Sequence, residues 1–409
     1  MKIRLHRRAI VSGAVLGLLA TTTASALEAG PLKIGGAIRA SYTQGDYAKD
    51  GSGAPQRGGN GGNFELDVFR INVDFAHENW IGKGEYRWYD GYNFLHTGWL
   101  GYASDAFGRL EAGLVRTPFG VGPYGPANSW FFDQHYYLGL ADMMKLGATY
   151  SRRFDRWAFD VGYYPADMVN GKGASDESAR YSNAVVAEDA GGIPGAYEQR
   201  HQFNARATYD VEEIGTTLGA SAQWSVLDAQ DDRAEDGDAY AAAIHAKSQW
   251  GAFGLMLQLT GYAFDADYRP GADGVRPSND LINLGAYDFA WPVASRGLVP
   301  SVAVSYTIEK PFEWIDAVTF YNDFSVVLKD GEMDGDSFND SALNTTGMSI
   351  ARGGWFIYVD YALSNGNLFV GNRDDVFGDT VADSSVGDLG ANRNDRWNSR
   401  FNINFGYYF

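Results

Sequence analysis

Through most of the chain apolar side chains recur at every second position, in stretches of about ten residues, with polar or small residues between them. Leu146/Ala148/Tyr150, Trp157/Phe159/Val161/Tyr163, Phe203/Ala205/Ala207/Tyr209, Leu218/Ala220/Ala222/Trp224 and Phe253/Leu255/Leu257/Leu259 show the pattern, as do Val302/Val304/Tyr306/Ile308 and Trp355/Ile357/Val359/Tyr361. This is the signature of β-strands with one apolar face. Short turns near 78–80, 105–107, 154–156 and 310–313 alternate with long Gly-, Asp- and Asn-rich connectors around 43–63, 117–143, 165–198, 226–237, 330–340 and 365–396. Beyond the N-terminus no segment approaches the ~20 consecutive apolar residues of a membrane helix. If the chain spans a bilayer it does so with strands, and unpaired backbone groups cannot face hydrocarbon, so the strands must close into a barrel.

The two ends carry the pattern most clearly. Phe401, Ile403, Phe405, Tyr407 and Phe409 share one face of the last segment, with Arg400, Asn402, Asn404, Gly406 and Tyr408 on the other. Leu32, Ile34, Ile38, Ala40 and Tyr42 alternate with Lys33, Gly35, Ala37, Arg39 and Ser41 at the start. These two strands are expected to pair and close the cylinder. A chain that stops on an aromatic residue inside such a strand resembles the C-terminal signal of outer-membrane barrels, which implies recognition by the barrel-insertion machinery. A literal count finds 17 candidate strands, whereas a bacterial barrel with both ends on one side needs an even number. Leu281–Trp291 is the one to discard, being flanked by polar 265–280 and by 292–297; reading Asp265–Gly297 as one outer loop restores 16. The expected fold is thus all-β: a transmembrane antiparallel barrel of 16 strands.

Residues 1–26 read as a secretory signal peptide: basic Lys2, Arg4, Arg7 and Arg8, the apolar run Ala9–Ala20, and Ala24-Ser25-Ala26 as the cleavage site. Residues 27–409 then form a single barrel domain. The 51 Gly, the 11 Trp, 25 Tyr and 24 Phe, and the lack of Cys suit a barrel that crosses an oxidising compartment unfolded. A mean hydropathy of −0.29 is compatible, since a barrel wall needs only alternate residues to be apolar. The signal takes four of the 33 basic residues and none of the 51 acidic ones, so the net charge falls from −18 to −22, which argues against a nucleic-acid partner.

Two segments point to a family. Phe69-Arg70-Ile71-Asn72-Val73, then Trp80, then Lys83-Gly84-Glu85-Tyr86-Arg87 resemble the second and third strands of the phosphate-selective (O/P-type) porin superfamily. Gly108-Arg109-Leu110-Glu111-Ala112-Gly113 leading to Arg116-Thr117-Pro118-Phe119-Gly120 is similar to its fifth strand and its Pro-Phe-Gly entry into the third loop. The close resemblance covers about 70 residues; it implies an outer-membrane channel of 16 strands, usually a homotrimer, narrowed by a third loop folded into the pore. That loop would be 117–143. Its Gly120, Gly122, Pro123, Gly125 and Pro126 can set tight turns, and Phe119, Tyr124, Trp130 and Phe131 could pack it against the wall.

Parity separates lumen from lipid, because the apolar face of each strand fixes the opposite set as inward. It nominates Lys33, Arg39, Arg70, Lys83, Arg87, Arg109, Lys145, Arg206, Lys247 and Arg400 as lumenal, against Asp74, Glu85, Glu111, Asp160, Asp323 and Asp360. An acidic chain would thus enclose a basic pore. Arg39, Arg70, Arg87 and Lys145, with Arg116 at the loop base, are the expected constriction; the competing reading for each is a wall salt bridge. Arginine suits carboxylate and phosphate because its planar fork makes paired hydrogen bonds. Asp133 would oppose the preference if it points into the eyelet, and His135 beside it could make conductance depend on pH.

Acidic clusters at 228–238 and 330–340 read as solvated outer loops, or as sites where divalent ions bridge loops and lipopolysaccharide; Ser341 stands where a calcium loop needs a bidentate Glu. No nucleophile elbow, metal-binding His pair or phosphate-cradling loop stands out, so the chain reads as a non-enzyme without metal or cofactor. The expected role is passive diffusion of small hydrophilic solutes, with a mild anion preference for phosphate or organic acids. A sugar or oligosaccharide porin and a structural or adhesive barrel are the alternatives.

Overall fold

The computed structural model describes residues 27–46, 62–271, 274–333, 336–370 and 397–409. The signal-peptide assignment, and parts of the connectors around 43–63 and 365–396, lie outside the described residues. Sixteen antiparallel staves form the wall: β1 (Leu32–Gly45), β2 (Asn63–His77), β3 (Trp80–Trp88), β4 (Asn93–Ser104), β5 (Gly108–Arg116), β6 (Met144–Phe154), β7 (Trp157–Asp167) and β8 (Tyr197–Val211). The other half is β9 (Thr216–Ala229), β10 (Gly237–Trp250), β11 (Phe253–Phe264), β12 (Arg296–Phe312), β13 (Ile315–Asp330), β14 (Ser341–Arg352), β15 (Trp355–Asn365) and β16 (Asn398–Tyr408). Each pairs with its neighbours in sequence, and β1 pairs with β16, so the sheet has no free edge. The expected count and closure are both met.

The seam depends on two small residues, Gly35 and Gly36; a Cβ on Gly35 would meet the Phe409 carbonyl. Phe409 exchanges backbone hydrogen bonds with Gly36 at 2.9 and 3.0 Å, and a Cβ on Gly36 would run into the Phe409 ring and the Arg70 carbonyl. The outer face is apolar, with exposed Trp80, Trp157, Trp250, Trp314 and Trp355 near the short turns and Phe64, Trp88, Trp224 and Tyr240 towards the long connectors. Two such belts flank the hydrocarbon band of a membrane barrel.

Bulges break parity at several points. Arg39 pairs with Val68 and Ala40 with Leu66, so Asp67 is the extra residue and turns inward; Glu85 pairs with Thr97 and Tyr86 with Leu95, which does the same for His96. Neither could be placed by alternation.

Residues 281–291 are outside the wall, as expected, but they are not irregular. Leu281–Ala286 and Phe289–Ala294 form a β-hairpin, and Ala184–Val185 adds a third strand. Almost every residue of the hairpin is buried, on both faces, which is why Leu-Ile-Asn-Leu-Gly-Ala and Phe-Ala-Trp-Pro-Val-Ala read as continuous runs rather than alternation. The loop is also shorter than expected at its end, because Arg296 and Gly297 already belong to β12.

Candidate permeation pathway

The third connector, 117–143, runs along the inner wall of the barrel. Gly120 N donates to Ser221 Oγ on β9 (2.9 Å) and Val121 N to Gln258 Oε1 on β11 (2.8 Å), while Arg206 Nε on β8 donates to the Gly120 carbonyl (2.8 Å). Gly120 adopts a left-handed φ of 67°, and a Cβ there would strike the Gln258 amide, so this close approach requires glycine. Further along, Asn128 N, Asn128 Nδ2 and Ser129 N all donate to the buried Asp323 carboxylate on β13, at 2.8, 2.9 and 2.7 Å. Gln134 N donates to Ser325 Oγ at 3.0 Å. The loop therefore spans inward-facing side chains from β8 to β13.

Its aromatic residues divide into two groups. Phe119 and Phe131 are buried with Tyr136 and Tyr137 in a core shared with the 281–294 hairpin. Trp130 and Phe131 lie under the Arg400 guanidinium, 5.6 and 4.9 Å from ring centre to Cζ. Tyr124 stacks on Phe132 and lies beneath Arg116, at 5.2 Å.

Four arginines gather on the opposite arc, on β1 to β5. Arg39 Nε pairs with Asp67 at 2.9 Å, Arg70 Nη1 and Arg87 Nε share Glu85 Oε1 at 3.3 and 2.6 Å, and Arg116 Nε pairs with Asp142 at 2.7 Å. Tyr181 covers the Arg87 guanidinium at 4.6 Å and the Tyr408 ring faces Arg70 at 5.2 Å. Arg39, Arg70 and Arg116 keep 19, 21 and 34% of their side-chain surface exposed, whereas their acids Asp67, Glu85 and Asp142 keep 9, 7 and 1%. The cations thus present more of themselves to the interior than the acids do.

Three sequence candidates are placed elsewhere. Asp133 and His135 do not face an open passage: they are fully buried between the third loop, to which they belong, and the wall, 2.5 Å apart, with His135 Nε2 2.7 Å from Thr260 Oγ1 and Ser301 Oγ donating to Asp133 at 2.9 Å. They anchor the loop to β11 and β12, because a loop lying against a polar wall must satisfy that wall's hydroxyls. Lys145 is enclosed too, held by Asp167 and by Gln199 Oε1 at 3.3 Å. Alternation nominates it as inward but cannot report what covers it.

Asp67, Asp142 and Tyr181 were missed by sequence reasoning. Asp67 needs the bulge; Asp142 and Tyr181 lie in connectors, where alternation carries no information. The acidic connector 228–238 is largely paired, with Arg233 bridging Asp189 and Asp231 and Arg200 meeting Asp228 at 2.8 Å.

In the mouth, the Tyr136 and Tyr287 hydroxyls hydrogen-bond each other, with Tyr181 packed against both rings. Burial, reinforced by this mutual proximity, holds all three phenols well above their usual pKa, so they remain neutral hydrogen-bonding groups.

No family model matches the chain, and no curated protein matches it by sequence. Solved structures do match in fold. The trimer form of OmpT, an outer membrane protein of Vibrio cholerae folded in vitro, superposes with a TM-score of 0.56 at 15% identity, over 93% of this chain and 100% of that one. The outer membrane channel DcaP of Acinetobacter baumannii gives 0.55 at 11%, over 92 and 97%. The anion-selective porin of Comamonas acidovorans gives 0.52 at 10%, over 92 and 99%. The architecture is that of bacterial outer-membrane porins.

Proposed function

We propose that this protein is an outer-membrane porin through which small hydrophilic solutes diffuse passively, with a mild preference for anions such as phosphate or organic acids. The observation that carries the reading is the gathering of Arg39, Arg70, Arg87 and Arg116 on one arc, facing the third loop, against three acids, Asp67, Glu85 and Asp142, that are more deeply buried than Arg39, Arg70 and Arg116. The excess is small, hence a mild preference. Guanidinium forks supply paired hydrogen bonds to a carboxylate or phosphate, and in a water-filled passage they also act as a field. The third loop, pinned from β8 to β13, narrows the lumen opposite them. The trimer form among the matching folds supports a homotrimer, and the hydrogen-bonded Phe409 seam supports assembly through the last strand.

The test is the reversal potential of the purified protein in a planar bilayer under a salt gradient. Anion selectivity is the expected result; clear cation selectivity would overturn the preference. A second reading, passage of sugars, is favoured by the stacked rings of Tyr89 and Tyr92, 4.9 Å between centres, backed by the buried Phe94 at 5.5 Å from Tyr89. Block of the ion current by an oligosaccharide but not by phosphate would select it.

A further inference from the structure

The buried hairpin Leu281–Ala294 leaves the wall between β11 and β12, yet its tip is fastened on the other side of the barrel. Tyr287 and Asp288 turn the chain with left-handed φ values of 54° and 71°. Tyr287 N donates to the Arg180 carbonyl (2.9 Å) and Asp288 N to the Ser178 carbonyl (2.8 Å), and the Asp288 carboxylate accepts from Ala174 N and Ser175 N, both at 2.8 Å. The ring of Tyr287 packs on Tyr181, which in turn covers Arg87 on β3 and lies 4.8 Å from His96 on β4. Six staves lie between β4 and β11, so the hairpin reaches from one arc to nearly the opposite one. At the tip Tyr287 is held to the third loop through Tyr136, and further back Trp291, 5.7 Å from Phe369, is linked by that ring to Tyr137.

We propose that this hairpin is a crossbar over the channel and its second filter, lying on the long-connector side of the third loop. It restricts the size of entering solutes, and by holding Tyr181 over Arg87 it limits how much of that guanidinium they meet. The inference rests on the channel reading above. A bar fixed at both ends divides the mouth, whereas an ordinary outer loop would leave it open.

The chain has no Cys, which permits a reversible test. The Asp288 side chain lies directly over Gly173, where a Cβ would touch its carboxylate, so Gly173→Cys with Asp288→Cys places two thiols within bridging reach. Oxidised, the bridge replaces the native fastening; reduced, the tip has lost both its carboxylate contacts. Single-channel conductance is expected to rise by about twofold on reduction, as when a bar across the open cross-section is released, with a larger share of the current carried by anions. Replacing 281–294 by a short Gly-Ser linker is expected to give the same rise, and the bridged form covers the case in which that deletion does not fold. Equal conductance in the oxidised, reduced and unaltered proteins would overturn the crossbar while leaving the channel intact. Absence of steady conductance steps in all of them would overturn the channel reading, and the crossbar with it.

Discussion

The two inner arcs of the barrel are built from the same alternating pattern and end in opposite states. On β1 to β5 the inward residues are charged, and Arg39, Arg70 and Arg116, each held by an acid, still reach the interior, while Arg87 is covered by Tyr181. On β9 to β13 they are small and mostly neutral: Ser221, Gln258, Thr260, Ser301 and Ser325, with Asp323 as the one acid among these contacts, and all are buried by the third loop. Short hydroxyls and amides can be covered cheaply, since a loop backbone supplies the hydrogen bonds they give up in water. Guanidinium groups are costlier to desolvate, and the two of the wall that are covered, Arg87 and Arg400, lie against aromatic rings. Polarity type, more than inwardness, therefore separates a docking seat from an open surface.

Asp323 should break this contrast most severely. Three donors of the loop converge on its carboxylate, and hydrogen bonds to a charged group contribute roughly 1.5–3 kcal/mol each. Asp323→Ala is expected to free the loop tip, seen as new protease cleavage within 117–143 and as noisy, enlarged conductance steps. A quiet channel of unaltered conductance would mean that the seat does not hold the loop.

Charge reversal on the other arc should act on selectivity and not on the loop. Arg116→Glu would put two acids together at Asp142, and Arg70→Glu would do so at Glu85, so Arg70→Gln and Arg39→Gln are the cleaner variants. At about 1 kcal/mol per unit charge at 4 Å in water, each charge lost should move the anion-to-cation permeability ratio by roughly fivefold at most. The reversal potential reads this directly. Thr260→Val gives the complementary result: hydrogen bonds to His135 and from Gln258 are lost, at about 1 kcal/mol each, lowering the thermal midpoint with no change of reversal potential. The smallest effect is that of salt. Raising it from 0.1 to 1 M shortens the Debye length from about 10 to about 3 Å, so selectivity should fade without vanishing; independence from salt would point to direct ligation instead of a field.

Read alone, the chain determined the barrel, its 16 staves and the pairing of its two ends, because each follows from a period of two and from the need to satisfy backbone groups in a membrane. It also singled out Arg39, Arg70, Arg87 and Arg116 as inward-facing or at the loop base. What covers what was decided only in three dimensions. Asp133 and His135 became anchors and Lys145 became enclosed, since burial by a distant connector leaves no local trace. Asp67 turned inward through a bulge that alternation cannot express, and the segment after β11 folded back as a hairpin because both of its faces found apolar partners, 136–137, 184–185 and Phe369, that lie far away along the chain.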